Sequence, residues 1–216
     1  MNSKHFSLKK NLILLRRLFS YSRSWPLGHG LHAYWVDPKK IRLMQTGHTG
    51  WPFDERGRVL LSEYGNVLPG DWDHQVAPIH ETPLYRGIYQ RHRLGMKWRD
   101  TDLHPSRMEP EHPASSTYSW INKPDPKLHF QKKQKYIDEL VDSIRADGFE
   151  ESKVIRKGIF KDIMFINVDR NGQFIRNLGG LHRLVIAQIF EIKTIPVYVQ
   201  VIHPETCSKL REILGP

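Results

Sequence analysis

The segment Gly179-Gly180-Leu181-His182-Arg183 has the residue types that hold a phosphate group. It stands between a predicted strand and a predicted helix, where the first backbone N–H groups lack partners and the helix dipole places partial positive charge. Two glycines let an anion approach the backbone without hindrance from a Cβ atom, while His182 and Arg183 add side-chain donors. The sequence therefore predicts phosphate binding here. A tight turn with Arg183 in solvent is the structural alternative.

Two carboxylates in a separate loop-like stretch are candidates to act with this segment. Asp71 and Asp73 flank Trp72 in the sequence Gly-Asp-Trp-Asp-His. Carboxylate oxygens are hard ligands that suit Mg²⁺, and one of the two could instead serve as a general base. We predict Asp71 and Asp73 as metal ligands and as candidate catalytic residues. The alternative is that both are turn or capping residues beside a buried tryptophan.

The elements that must position these residues follow from hydrophobic periodicity in the C-terminal part of the chain. In chain order they are a helix over 132–147, strands over 164–168 and 173–178, a helix that opens after Gly180, and a strand over Ile195–Ile202. Gly148 ends the first helix, and a turn over 169–172 joins the two strands into a hairpin. The predicted order of helix, hairpin, helix and strand indicates a small α+β domain over 122–216.

The preceding residues divide into a basic arm over 1–33 and an irregular region over 34–121. The arm contains six lysines and arginines between Lys4 and Arg23 and precedes the first carboxylate, Asp37. Residues 7–20 predict an amphipathic cationic helix, which either lies on an anionic membrane surface or packs on its own domain. The region over 34–121 predicts short strands, loops and one helix over 82–95. Prolines between 105 and 126 place the domain boundary near Asn122.

Composition limits the classes of function. The 216 residues contain 33 lysines and arginines against 23 acidic residues, a formal net charge of +10 that favours phosphate-bearing partners such as nucleotides, nucleic acids or anionic lipids. Cys207 is the single cysteine and cannot form an internal disulfide, so we expect a reducing compartment, the cytoplasm. The twelve histidines are scattered without a zinc-binding spacing, so a transition-metal site is not expected.

Three ordered motifs resemble the ParB/sulfiredoxin superfamily over roughly residues 122–203. They are the helix sequence over 138–144 with Gly148, similar to the family's eLxxSIxxxG element; the segment over 179–183 with Ala187, similar to GxHRxxA; and residues 193–197, similar to the xxIPV strand. The resemblance implies a small α+β fold whose GxHR loop holds the phosphates of ATP or CTP. It also implies an acidic catalytic residue near the first helix, for which Glu139 and Asp142 are the candidates.

This chain departs from the family pattern at the position that sulfiredoxins use for catalysis. Sulfiredoxins carry their catalytic cysteine where this chain has Leu181, and Cys207 lies beyond the last predicted strand. Thiol-based reduction of a peroxiredoxin is therefore not expected. A chromosome-partitioning role is not expected either, because no helix-turn-helix reader follows residue 203.

These features favour a Mg²⁺-dependent nucleotide hydrolase or phosphotransferase that uses the loop over 179–183 to bind ATP or CTP. Two alternatives remain open at this point. One is a non-catalytic accessory protein at a membrane surface, held there by basic residues between 4 and 23. The other is a nucleic-acid-binding or nuclease-like module of the ParB type. We expect a cytoplasmic location, either free or peripheral at the inner face of a membrane.

Overall fold

The computed structural model describes residues 33–46, 66–107, 125–149, 164–177 and 179–215. The predicted cationic helix over 7–20 and the predicted domain boundary near Asn122 lie outside these ranges. Within them, no helix combines the length and the apolar character needed to cross a membrane.

The described strands form one mixed sheet. They are β1 (Ala33–Val36), β2 (Leu43–Gln45), β3 (Asn66–Val67), β4 (Val76–Pro78), β5 (Phe165–Val168), β6 (Phe174–Arg176) and β7 (Ile195–Ile202). Their order is β1-β7-β5-β6-β2-β4, and β3 pairs in addition with β7. The strands β3 and β5 run parallel to β7, and β2 runs parallel to β6, whereas the other pairs are antiparallel. One sheet thus joins strands from both sides of the predicted boundary.

Four α-helices lie in the described ranges. They are α1 (Pro83–His92), α2 (Pro126–Asp147), α3 (Leu181–Ile189) and α4 (Leu210–Leu214). The predicted order of helix, hairpin, helix and strand is confirmed by α2, β5–β6, α3 and β7, and the coarse α+β class is confirmed with it. The helix α4 was not predicted. No described observation identifies the arrangement as ParB-like.

The helix boundaries follow from capping residues. Asp125 accepts a hydrogen bond from the N–H of Leu128 at 2.9 Å, and Pro126 occupies the first turn, so α2 begins earlier than the predicted residue 132. Gly148 ends the helix with a positive φ of 67°. The helix α1 ends at His92 rather than at the predicted residue 95, and Leu94, just beyond its end, is 59% exposed. That part of the prediction was wrong because the chain has already left the helix.

A shared hydrophobic core holds α1, α2 and α3 against the sheet. The residues Leu184, Val185, Ile186 and Ala187 of α3 are all inaccessible to solvent, which is typical of a helix enclosed on nearly all sides. Ile137 and Val141 of α2 belong to the same core. Each fully buried aliphatic side chain of this kind contributes roughly 1.5–3 kcal/mol to stability. This packing therefore holds α3 in place against α2 and the sheet.

Candidate functional site

The two glycines before α3 form a turn that other residues would not fit. Gly179 and Gly180 have φ values of 68° and 59°, in the left-handed region that favours glycine. A Cβ atom on Gly180 would lie 2.9 Å from the Cβ atom of Met164, so the close approach of the backbone to β5 also requires glycine. The guanidinium of Arg176 donates to the carbonyl oxygen of Gly179 at 3.0 and 3.1 Å. The glycine turn is therefore held by the contact with Met164 and by the hydrogen bonds from Arg176.

His182, in the first turn of α3, has an unused hydrogen-bonding atom. Its Nε2 is shielded from solvent and has no hydrogen-bond partner. The imidazole packs edge to face against the ring of Tyr136, with 5.6 Å between the centroids. Burial, and then the positive charges of Lys133 and Arg176, lower the pKa of His182 to about 3. The side chain is therefore neutral near pH 7.

Lys133 of α2 adds a cation beside this histidine. Tyr136, in the middle of α2, contacts His182 at the start of α3, and Arg145, near the end of α2, contacts Phe190 just after α3 ends. The two helices therefore run side by side in the same direction. The ammonium of Lys133 lies 5.3 Å from the centre of the Tyr136 ring, and burial lowers the pKa of Lys133. Among the described residues, the charges that act on His182 are positive only.

These groups define the α3 N-terminal site, which consists of Gly179, Gly180, His182, Arg183, Lys133 and Arg176. Arg183 is partly buried in the first helical turn, whereas the side chain of Leu181 is buried in the core and leaves only its backbone for a ligand. A helix N-terminus surrounded by cations and a neutral imidazole is suited to an anion with several oxygen atoms. Phosphate binding by this segment stays a prediction.

Asp71 and Asp73 lie at the other end of the β5–β6 hairpin. Both oxygens of Asp73 accept hydrogen bonds from the guanidinium of Arg170 at 2.8 Å, and Asp71 accepts another at 2.7 Å. Burial opposes ionisation of Asp73, but the hydrogen bonds from Arg170 prevail and lower its pKa; hydrogen bonding to Arg170 also lowers the pKa of Asp71. Arg170 belongs to the turn that joins β5 to β6, whereas Gly179 follows the far end of β6.

The structure thus does not bring Asp71 and Asp73 to the α3 N-terminal site. It gives both carboxylates a guanidinium partner, and their assignment as metal ligands or catalytic residues stays a prediction. In the described parts of the chain, no group of three or more histidine, cysteine, aspartate or glutamate side chains is arranged to hold a metal ion. Trp72 is buried, as the structural alternative for this stretch predicts.

The carboxylates of α2 have different surroundings. Glu139 and Asp142 are exposed, and Glu139 forms a long ion pair of 3.8 Å with Lys135. Asp138, in contrast, accepts hydrogen bonds from the indole of Trp98 at 3.0 and 3.2 Å and lies 3.2 Å from Nε2 of His92. Asp138 therefore ties α2 to the region around α1. Glu139 lies about one helical turn after Tyr136, which contacts His182. Of the two predicted catalytic residues on α2, Glu139 is therefore nearer to the α3 N-terminal site than Asp142.

Two concave surfaces, of about 540 and 490 Å³, lie away from this site and share Lys39 and Arg42. One reaches the hairpin turn at Gly172, and the other reaches Gln188 and Glu191 at the C-terminal end of α3. Their cations are accompanied by carboxylates: Lys39 Nζ lies 3.4 Å from Glu191 Oε1. These surfaces have mixed charge and give no comparable reason to bind an anion.

The sequence interpretation missed Lys133, Tyr136 and Arg176 as components of the site. Arg176 had a local signal, because it stands three residues before the glycine pair. Lys133 and Tyr136 are separated by one helical turn and share a face of α2. Their position beside His182 depends on how α2 packs on α3, which local spacing does not reveal.

No family model matches the chain, and no curated protein or solved structure matches it either. The resemblance to the ParB/sulfiredoxin superfamily therefore depends on the three sequence motifs.

Proposed function

We propose that the α3 N-terminal site binds the phosphate groups of a nucleotide, with ATP and CTP as the candidate ligands. The observation that carries this proposal is the shielded Nε2 of His182, which has no hydrogen-bond partner at a helix N-terminus lined by cations. A buried polar atom without a partner costs about 1–3 kcal/mol. Such atoms call for an explanation, and a ligand that completes the hydrogen bond provides one.

The residues of the site have complementary roles in this proposal. Gly180 caps α3 and has no side chain that could accept hydrogen bonds from the first backbone N–H groups of the helix, so phosphate oxygens would take that role. Arg183 offers paired donors to phosphate oxygens, and Lys133 contributes charge. Arg176 holds the glycine turn through the carbonyl of Gly179 while its positive charge adds to the field.

We extend the proposal to Mg²⁺-dependent hydrolysis or transfer of a phosphoryl group. Mg²⁺ is commonly held by one or two carboxylates together with substrate phosphates, and a bound ion would neutralise charge on the transferred group. Glu139 fits that role best among the predicted carboxylates, because it is exposed and only weakly engaged by Lys135. Asp71 and Asp73 fit it less well, because Arg170 already balances their charge.

Thermal unfolding with ATP, CTP, GTP or ADP in the presence of Mg²⁺ tests the binding proposal. A ligand at one hundred times its dissociation constant stabilises the folded state by about 2.7 kcal/mol, which gives a measurable rise in Tm. We expect this rise for the unaltered protein and for the control Arg211→Ala, which removes an exposed arginine of α4. Arg183→Ala and Lys133→Met should abolish it. An unchanged Tm of the unaltered protein with all four nucleotides would contradict the proposal.

Phosphate release from ATP or CTP then tests the catalytic extension. Glu139→Gln should lose turnover and keep the nucleotide-dependent rise in Tm, whereas Asp147→Asn, an exposed change at the end of α2, should keep both. Equal turnover in the two variants would exclude Glu139 as the catalytic carboxylate.

A further inference from the structure

The charges of α2 are divided between its two halves. The first half contains Lys127, Lys132, Lys133 and Lys135 and no acidic residue before Ile137, whereas the second half contains four acidic residues, Asp138, Glu139, Asp142 and Asp147, and one basic residue, Arg145. The helix dipole favours acidic residues at the start of a helix and basic residues at its end. The first turn of α2 nevertheless has no acidic residue. Lys127 therefore stands where the dipole disfavours a cation, although the N-cap Asp125 lies beside it, and the dipole has little effect on the lysines beyond the first turn.

Within the described ranges, few acidic side chains compensate the charges of these lysines. Lys127 and Lys132 are exposed and form no ion pair with any residue in the described ranges. Lys135 pairs with Glu139 at 3.8 Å, where both side chains are mostly exposed and the interaction is weak. Their charge is available to a partner.

Two exposed side chains with apolar surface lie among these lysines. Leu128 is 44% exposed and Tyr136 is 42% exposed. The ring of Tyr136 contacts His182, so it stands at the border between the lysines and the α3 N-terminal site. We call Lys127, Leu128, Lys132, Lys135 and Tyr136 the α2 lysine surface. From 127 to 136 it extends about 13 Å along the helix axis, enough for more than one backbone phosphate.

We propose that the α2 lysine surface binds single-stranded nucleic acid, with one backbone phosphate at the α3 N-terminal site and an adjacent base against Tyr136. The inference rests on the proposed function for that innermost phosphate. Lysines that follow a phosphate backbone, together with an exposed aromatic ring for an unpaired base, are the features of strand binding without strong sequence preference. A duplex would satisfy the lysines but offers no unstacked base to Tyr136, so we expect a preference for single strands.

Fluorescence anisotropy with labelled ten-nucleotide strands of thymidine and of uridine, and with a DNA duplex, tests the inference on the full chain. The triple variant Lys127→Ser, Lys132→Ser, Lys135→Ser removes three charges from the surface. Its matched control is Lys40→Ser, Lys193→Ser, Lys209→Ser, which removes three exposed lysines elsewhere. Both variants lose the same net charge and keep the basic arm. Comparing the two oligonucleotides distinguishes DNA from RNA as the preferred strand.

We expect the α2 variant to bind either strand at least tenfold more weakly, and the control to change less than threefold. Each phosphate contact to a single strand contributes about 0.7 to the slope of log affinity against log salt concentration, so the α2 variant should lose about 2 from that slope. Tyr136→Ala should lose the preference for single strands over duplex, and Tyr136→Phe should retain it.

Equal losses in the two triple variants would overturn the inference, because binding would then follow net charge alone. Absence of strand binding by the unaltered protein would overturn it as well, and a persistent rise in Tm with ATP or CTP would show that the proposed function survives. Loss of both signals would reject the two proposals together. The replaced lysines are all exposed, so we expect both variants to fold. Thermal unfolding of each variant checks this.

Discussion

The two ends of the β5–β6 hairpin bring charged residues together in opposite ways. At the turn, Arg170 is surrounded by the carboxylates of Asp71 and Asp73 at hydrogen-bonding distance. At the other end, Lys133 and Arg176 lie near the neutral His182, and the described charges that act on this histidine are all positive. Charges that satisfy one another within the protein serve the fold, whereas an excess of one sign around an unpartnered polar atom is the feature expected of a binding site.

The largest change in stability should come from breaking the charge cluster at the hairpin turn. The side chain of Asp73 is only 2% exposed and accepts three hydrogen bonds from Arg170. Asp73→Ala should lower the free energy of unfolding by about 3 kcal/mol, because charged hydrogen bonds are lost inside the protein. Asp71→Ala is the control, since the side chain of Asp71 is 77% exposed and should contribute little. Urea unfolding of both variants measures the difference, and similar midpoints would contradict a structural role for Asp73.

The second prediction concerns the pH dependence of stability that His182 causes at the other end of the hairpin. The pKa of His182 is about 3 in the folded protein, below the ordinary value of 6.5. Below pH 6.5 the unfolded chain binds a proton that the folded chain does not, so stability falls as the pH falls, by at most about 1.4 kcal/mol per pH unit. Between pH 6 and 4.5 this amounts to about 2 kcal/mol, and His182→Gln should remove it.

The control for the pH experiment is His80→Gln, which replaces an exposed histidine. Urea unfolding at both pH values then compares the loss of stability in each variant with that of the unaltered protein. If His182→Gln loses as much stability as the unaltered protein, the imidazole is not held neutral by its surroundings.

The sequence predicted those elements of the fold that depend on local signals. The strand Ile195–Ile202 was predicted with its observed bounds, because β-branched residues dominate it. The turn over 169–172 and the helix after Gly180 were also predicted correctly. The pairing of Arg170 with Asp73, and the packing of Tyr136 on His182, join segments far apart in the chain, so local spacing does not reveal them. Sequence therefore located the glycine turn but not the residues that distinguish a structural cluster from a candidate site.

A third prediction concerns the close approach of the backbone at Gly180. Gly180→Ala forces a side chain into a positive φ of 59° and toward Met164, whereas Gly95→Ala meets a φ of 71° with no atom within 4 Å. The strain of positive φ, about 1–2 kcal/mol, is common to both variants. Gly180→Ala should therefore cost about 1 kcal/mol more than Gly95→Ala, from crowding alone. Equal costs in thermal unfolding would mean that β5 moves aside easily and that the turn is less rigid than its geometry indicates.

The smallest effect has the opposite sign and concerns the first turn of α2. Lys127→Glu places a carboxylate where the helix dipole favours one, so the free energy of unfolding should rise by about 0.5 kcal/mol. Lys132→Glu, further along the helix and outside the first turn, should change stability less because the dipole effect fades there. Strand binding should weaken in both variants, because each reverses a charge on the α2 lysine surface. A residue whose replacement improves folding and impairs binding is retained for its ligand. If Lys127→Glu instead destabilises the protein in urea unfolding, Lys127 supports the fold, and the lysines of α2 belong with the balanced charges of the hairpin turn.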